Sequence, residues 1–110
     1  MPFWGHEAVP KVDVDTAVKA IDEGALLIDI GTPAEWIEGH LPSALLVEVE
    51  SFDLDLYSIA KDRPILVAAR NKDLEEEVVG AMRERGYDAA AIDGGIAAWR
   101  ASGRELVRAE

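Results

Sequence analysis

The feature that most constrains the fold is a continuous apolar run, PILVAA, at Pro64–Ala69. A strand covered on one face alternates apolar and polar residues, whereas a strand covered on both faces is apolar throughout. A short polar loop follows the run, and then an acidic segment with helical periodicity that Gly86 closes. We therefore predict a central parallel strand that leads through a loop into a helix.

Strand and helix signals alternate along the rest of the chain. Asp13 is a candidate N-cap of a helix that Gly24 ends, and Thr32, Pro33 and Glu35 form the start signal of a short helix to about Glu38. This alternation predicts an α/β fold with a mainly parallel sheet of about five strands flanked by helices. The other predicted strands are ALLIDI, ALLVEV and YDAAAI; SFDLDLYSIAKDR is predicted as a loop with a brief helix, and GGIAAWRASG as a last turn and helix.

The 110 residues fit one globular domain, since no repeat, linker or low-complexity tract divides them. We predict an N-terminal tail at 1–11, a single domain at 12–107 and a C-terminal tail at 108–110. Phe3 and Trp4 are expected to cover an edge of the domain. No basic region followed by an apolar run marks the start of the chain, so a cytoplasmic location is expected.

Composition excludes several classes of function. The chain has no cysteine, which removes disulfides, thiolate metal sites and a thiol nucleophile. The net charge of -11 disfavours nucleic acid and anionic lipid as partners and favours a basic protein. No apolar run approaches the roughly 20 residues that span a bilayer. No cofactor or metal site is expected, because the two histidines, His6 and His40, lie far apart in the sequence.

Three motifs occur in a familiar order: ALLIDIGTPAEWIEGHLPSALLV, PILVAAR and GYDAAAIDGGIAAW. Together they resemble the rhodanese family, whose domains have an aspartate-ended strand, a GHIPGA-like segment, a cysteine loop and a GGxxxW motif. The resemblance spans Val12 to Val107 and implies a three-layer α/β sandwich. Active members carry sulfur as a persulfide on the loop cysteine, taken from a donor such as thiosulfate and passed to a thiophilic acceptor.

The matching motif residues have structural roles in our interpretation. Asp29 ends its strand, and His40 in GHLPSA is expected to orient a loop through a hydrogen bond rather than bind metal. Gly94 and Gly95 are expected to allow a tight turn. Trp99, like Trp36, is expected to be a core aromatic residue.

The resemblance places the family's cysteine position on Ala69, which can neither ionise nor hold a persulfide. Arg70 matches an arginine that often follows the cysteine. Asn71 and Lys72 replace the family's small and glycine residues, and Leu74 stands at a later arginine position. The loop therefore keeps its length but departs in chemistry.

The start of the following helix also departs from an anion site. Asp73 is predicted as its N-cap, with Glu76 completing a capping box, so that the helix satisfies N–H groups that would otherwise face an anion. Glu75, Glu76 and Glu77 favour the helix dipole by about 0.3 to 1 kcal/mol each at exposed positions, and they oppose an incoming anion.

Three hypotheses follow. The first is a rhodanese-like domain without sulfurtransferase activity that serves as a binding or regulatory module, with a protein partner that the resemblance places in sulfur metabolism. The second is a sulfurtransferase in which an engineered alanine replaces a native cysteine. The third is an anion-binding domain that uses Arg70 and Lys72, against which we prefer the view that both are solvated loop cations.

Overall fold

The computed structural model describes residues 3–52 and 59–108. Within these residues it contains a five-stranded parallel sheet and four helices, which confirms the predicted α/β fold with a mainly parallel sheet. The stretch predicted as a loop with a brief helix includes residues 53–58, which lie outside the described residues. The elements are β1 (Lys11–Val12), α1 (Val14–Asp22), β2 (Leu26–Ile30), α2 (Pro33–Glu38), β3 (Leu45–Val47), a 3-10 turn (Val49–Ser51), β4 (Ile65–Ala69), α3 (Lys72–Glu84), β5 (Ala89–Ile92) and α4 (Gly95–Ala101).

Strand β4 lies at the centre of the sheet, whose order is β1-β5-β4-β2-β3. All five of its residues are buried, which confirms the interpretation of the continuous apolar run. Asp29 of β2 lies opposite Ala68, and Ile30 lies opposite Ala69. The carboxyl ends of β2 and β4 therefore meet at one edge of the sheet, where ligands of open α/β sheets usually bind.

The core has one part on each face of the sheet, because successive residues of a strand point to opposite faces. One face packs against α3 and the other against α1 and α4. The first cluster includes Ile28, Ile30, Val67, Val79 and Met82, and the second includes Ala17, Leu27, Leu66, Ile92 and Trp99. This arrangement is the three-layer α/β sandwich.

The first two helices begin where the sequence predicts. The Asp13 side chain accepts a hydrogen bond from the Thr16 N–H at 2.7 Å and caps α1. Thr32 and Glu35 form the predicted capping box of α2, with Pro33 in its first turn. Local capping chemistry therefore fixes both boundaries.

Part of the segment predicted as a tail, residues 1–11, contacts the domain. Lys11 pairs with Ala91 of β5, and the Pro10 carbonyl accepts from the Ala91 N–H at 2.9 Å. Trp4 packs against the second core cluster. The segment joins the domain because β5 has an open edge with backbone groups to satisfy. In the described part of the chain, no helix is long and apolar enough to cross a membrane.

Candidate functional site

The candidate site lies at the carboxyl end of β4, where Ala69 is followed by a two-residue loop and by α3. The loop stands over a cavity of about 280 Å³. Ala69, which the resemblance aligns with a cysteine, is almost fully buried at its wall. Lys72 is the first residue of α3 and is exposed at the same wall. The other lining residues are Lys11, Arg70, Glu75, Asp93, Gly94, Gly95 and Ala97.

The N-cap of α3 is Asn71, whose Oδ1 accepts from the Leu74 N–H at 3.0 Å. The predicted cap at Asp73 was therefore wrong, because the helix begins directly after the loop and places Asp73 inside its first turn. The predicted capping box with Glu76 is wrong too. Glu76 instead accepts a hydrogen bond from the Lys11 ammonium at 2.6 Å, and this bond lowers the pKa of Glu76.

Glu75 is the functional residue that sequence reasoning missed. It was expected on the exposed face of the helix, but it is only 4% exposed. Its Oε2 accepts a hydrogen bond from the Ala69 N–H at 3.0 Å. A signal was present in the sequence, since Glu75 lies three and four residues before the buried Val78 and Val79 and so shares their helix face.

The electrostatics of Glu75 are those of a carboxylate held out of water. Burial raises the pKa of Glu75 to about 7, and the Asp93 and Glu76 charges act in the same direction. The Ala69 N–H and Lys11 oppose that rise in pKa. A buried acidic side chain therefore accepts a hydrogen bond from the N–H of the last residue of β4.

The Gly94-Gly95 turn forms the opposite wall of the cavity. Both residues have positive φ, at 81° and 57°, as expected for the tight turn. A Cβ at Gly95 would lie 2.3 Å from the Ala69 carbonyl oxygen and 2.9 Å from Oε2 of Glu75. The absence of a side chain at Gly95 thus allows α4 to approach the end of β4 closely.

Arg70 lines the cavity, and its guanidinium is bound to β2 and to the end of α2. Its Nη1 donates to Oδ1 of Asp29 at 2.8 Å, and its Nη2 donates to the Gly39 carbonyl at 2.7 Å. The guanidinium also bonds the carbonyls of Ile30 and Glu35. The view of Arg70 as a solvated loop cation was therefore wrong, because a buried carboxylate and the end of α2 require its donors.

Asp29 has no exposed surface, and burial raises the pKa of this carboxyl against the lowering effect of Arg70. Gly31 leaves room for the guanidinium, since a Cβ there would lie 2.6 Å from Nη1. With its donors committed to protein acceptors, Arg70 is poorly placed to grip an anion together with Lys72. The geometry thus gives no support to the anion-binding hypothesis.

The remaining motif residues lie apart from the cavity wall. His40 is buried, and its Nδ1 donates to the Trp36 carbonyl at 2.8 Å, while its backbone pairs with Val107. Trp99 is buried in the second core cluster. Trp36 was expected in the core, but it is half-buried. Its ring stacks on the His40 ring, with 3.5 Å between the two centroids.

Ala69 itself offers no group for covalent chemistry. The atom next to the Ala69 backbone is a methyl carbon, and the Ala69 and Leu74 N–H groups donate to Glu75 and Asn71. Among the described residues, no group of three or more histidine, aspartate or glutamate side chains is placed to hold a metal ion. What remains is a small cavity with a buried carboxylate on its wall.

Comparison with known proteins agrees with this architecture. The rhodanese-like domain family matches residues 13–102. A protein of Allochromatium vinosum named sulfurtransferase is 32% identical over 89 residues, which cover 80% of this chain and 83% of that protein. The Alr3790 protein of Anabaena sp. superposes with a TM-score of 0.81 at 20% identity, over 88% of this chain and 81% of that structure. A rhodanese-related protein of Thermoplasma volcanium gives a TM-score of 0.81 at 16% identity, over 88% of this chain and 96% of that structure.

The parallel sheet, the loop after β4 and these matches define the class of protein. The chain belongs to the rhodanese-like domain family.

Proposed function

We propose that this chain is a rhodanese-like domain without sulfurtransferase activity of its own, which serves as a binding or regulatory module for another protein. The observation that carries the proposal is the hydrogen bond between the Glu75 carboxylate and the Ala69 N–H, at 3.0 Å. A sulfur anion at residue 69 would need that environment to be positive. Here a buried acidic side chain accepts from that N–H instead.

The environment of Ala69 supports the proposal beyond the missing sulfur atom. A substitution of cysteine by alanine alone would leave the surrounding groups free for an anion, but here Glu75 accepts from the Ala69 N–H, Asn71 caps the helix and Arg70 is bound to Asp29. No cysteine elsewhere in the sequence could take over the reaction. We therefore propose that a surface of this fold binds a protein partner. The family resemblance places that partner in sulfur metabolism.

The first experiment is a sulfur-transfer assay with purified protein, thiosulfate as donor and cyanide as acceptor. We expect thiocyanate to form at the rate of the buffer control. Transfer clearly above that control would contradict the proposal.

The second experiment distinguishes the proposal from an engineered loss of the nucleophile. We expect Ala69→Cys to remain inactive, because the Glu75 carboxylate beside the new thiol raises its pKa and repels the anionic donor. Ala101→Cys, on the exposed end of α4, is the matched control for unspecific thiol reactivity. Persulfide formation and thiocyanate production by Ala69→Cys alone would favour the sulfurtransferase hypothesis instead.

The double variant Ala69→Cys/Glu75→Gln identifies the cause of inactivity. Glutamine can still accept from the backbone N–H, but it carries no charge. If Glu75 opposes a sulfur anion, the double variant gains measurable persulfide while the single variant does not.

A further inference from the structure

A second concave surface lies beside the site, on the outer side of the Arg70-Asn71 loop. It consists of two cavities of about 340 and 250 Å³. Both cavities are lined by Val49, Glu50 and Leu74, so they form one groove between the 3-10 turn and α3. We name it the Val49 groove. Its other lining residues are Ser51, Phe52, Glu77, Val78, Ala81 and Arg85 in the larger part, and Ile30, Gly31, Thr32, Glu35, Glu48, Arg70 and Asn71 in the smaller part.

The floor of the Val49 groove exposes apolar surface. Val49 is 50% exposed, and Leu74 and Phe52 are half-buried against the first core cluster. Covering such surface is favourable, by about 25 cal/mol per Å² of apolar area. The groove can therefore accept an aliphatic or aromatic side chain.

The rim of the groove is acidic. Glu35, Glu48, Glu50 and Glu77 line it. The charge of Arg70 is offset by Asp29 at 2.8 Å, and Arg85, which lies over the Phe52 ring, offsets at most one carboxylate. The groove thus presents apolar surface inside a negative border, which is complementary to a basic segment with an apolar residue.

We infer that the Val49 groove is the docking site of a partner protein's basic segment, which inserts one apolar side chain between Val49 and Leu74. This inference rests on the proposed role as a binding module and names the partner's chemistry. A second copy of this chain is a poor occupant, because each copy carries a net charge of -11 and would place acidic surface against the acidic rim.

The test is an NMR titration of the full chain with a capped synthetic peptide that has a single leucine flanked by lysines. We expect amide shifts at Val49, Glu50 and Leu74 that weaken as the salt concentration rises. Peptides with serine in place of the leucine, or with glutamates in place of the lysines, should bind more weakly. Shifts that are absent from the groove, or that are equal for all three peptides, would overturn the inference.

Two variants with matched controls test the groove itself. Glu50→Lys should weaken peptide binding roughly two- to fivefold, whereas Glu23→Lys, at the exposed end of α1, should leave it unchanged. Val49→Ser should weaken binding about fivefold, whereas Val107→Ser, at a residue that is 44% exposed, should not. Equal effects of variant and control would mean that binding follows overall charge, and would contradict a specific groove.

The outcomes also separate this inference from the proposed function. Groove shifts that depend on protein concentration without peptide would identify a second copy as the occupant and overturn the basic-partner inference. Because peptide binding is read by NMR and sulfur transfer by thiocyanate, an active enzyme with a peptide-binding groove would contradict only the proposed function. An inactive protein whose groove binds no peptide would contradict only the inference.

Discussion

Arg70 Nη1 lies 2.8 Å from Oδ1 of Asp29, a carboxylate without exposed surface. The same guanidinium reaches the Gly39 carbonyl at the end of α2. A single side chain from the loop after β4 therefore joins the ends of β2 and α2. Arg70 thus connects the elements that surround the candidate site.

Removing Arg70 should destabilise the fold strongly. Arg70→Ala leaves the Asp29 carboxylate buried without its ion partner, and we expect a loss of about 3 to 5 kcal/mol in the free energy of unfolding. Urea denaturation at neutral pH measures this loss. The neighbouring exposed cation provides the control, since Lys72→Ala should cost under about 0.5 kcal/mol. Replacing both partners, in Asp29→Leu/Arg70→Met, should cost less than Arg70→Ala alone; a larger cost would contradict this account.

Glu75 should make stability depend on pH. The pKa of Glu75 is about 7 in the folded protein and near its ordinary value of 4.5 in the unfolded chain. Since the folded state favours the protonated form, its contribution is fully present below about pH 4.5 and is lost as pH rises through about 7. We therefore expect the free energy of unfolding of the wild type to fall by on the order of 3 kcal/mol between these pH values. The Glu75→Gln variant should not show this fall.

Denaturant unfolding of wild type and Glu75→Gln across this pH range measures the difference. The two curves should diverge as pH rises, with the variant more stable at the alkaline end. Glu77→Gln, an exposed change on the same helix, serves as control and should run parallel to wild type. Parallel curves for Glu75→Gln would show that Glu75 ionises freely in the folded protein.

Gly95 should tolerate no side chain. Its φ is 57°, and a Cβ would lie 2.3 Å from the Ala69 carbonyl oxygen. Gly103 has a φ of 88° and open space around a Cβ, so Gly103→Ala incurs the conformational strain alone. We expect Gly103→Ala to lower the free energy of unfolding by about 1 kcal/mol, and Gly95→Ala to lower it by about 1 to 3 kcal/mol more. Thermal or urea unfolding measures both changes. Equal costs would contradict the close approach of α4 to β4.

Asn71 should be the residue that caps α3. Asn71→Ala removes the acceptor of the Leu74 N–H and should cost about 1 kcal/mol of stability. Asp73→Ala removes only a charge from the first turn and should cost about 0.3 to 1 kcal/mol at low salt, and less as salt is added. The salt dependence distinguishes the two variants. A larger, salt-independent loss for Asp73→Ala would restore Asp73 as the cap.

Most of the fold could be predicted because its signals are local. The buried run at Ile65–Ala69 and the capping box at Thr32 and Glu35 depend on residues close in the sequence. Strand β1 escaped prediction because two residues carry no periodicity, and its pairing partner Ala91 is distant in the sequence. The N-terminal segment was therefore taken for a tail.

The candidate site was predicted in position but not in its contacts. The resemblance placed Ala69 at the end of the central strand, yet the partners of Arg70 and Glu75 depend on how β2, β4 and α3 meet. Asn71 and Asp73 are comparable N-cap residues by propensity, so only the backbone after the strand decides between them. Long-range packing, which one sequence does not display, determined each of these outcomes.

The close contact among Ala69, Glu75 and Gly95 has an evolutionary consequence. Because the three share one small volume, a change at one of them alters what the other two tolerate. Homologues should therefore show covariation: a glutamate matching Glu75 should occur where the nucleophile position lacks sulfur, and should be absent where a cysteine remains. A lineage that acquired this glutamate would need at least two coordinated substitutions to regain sulfur chemistry, so its loss of catalysis would be difficult to reverse.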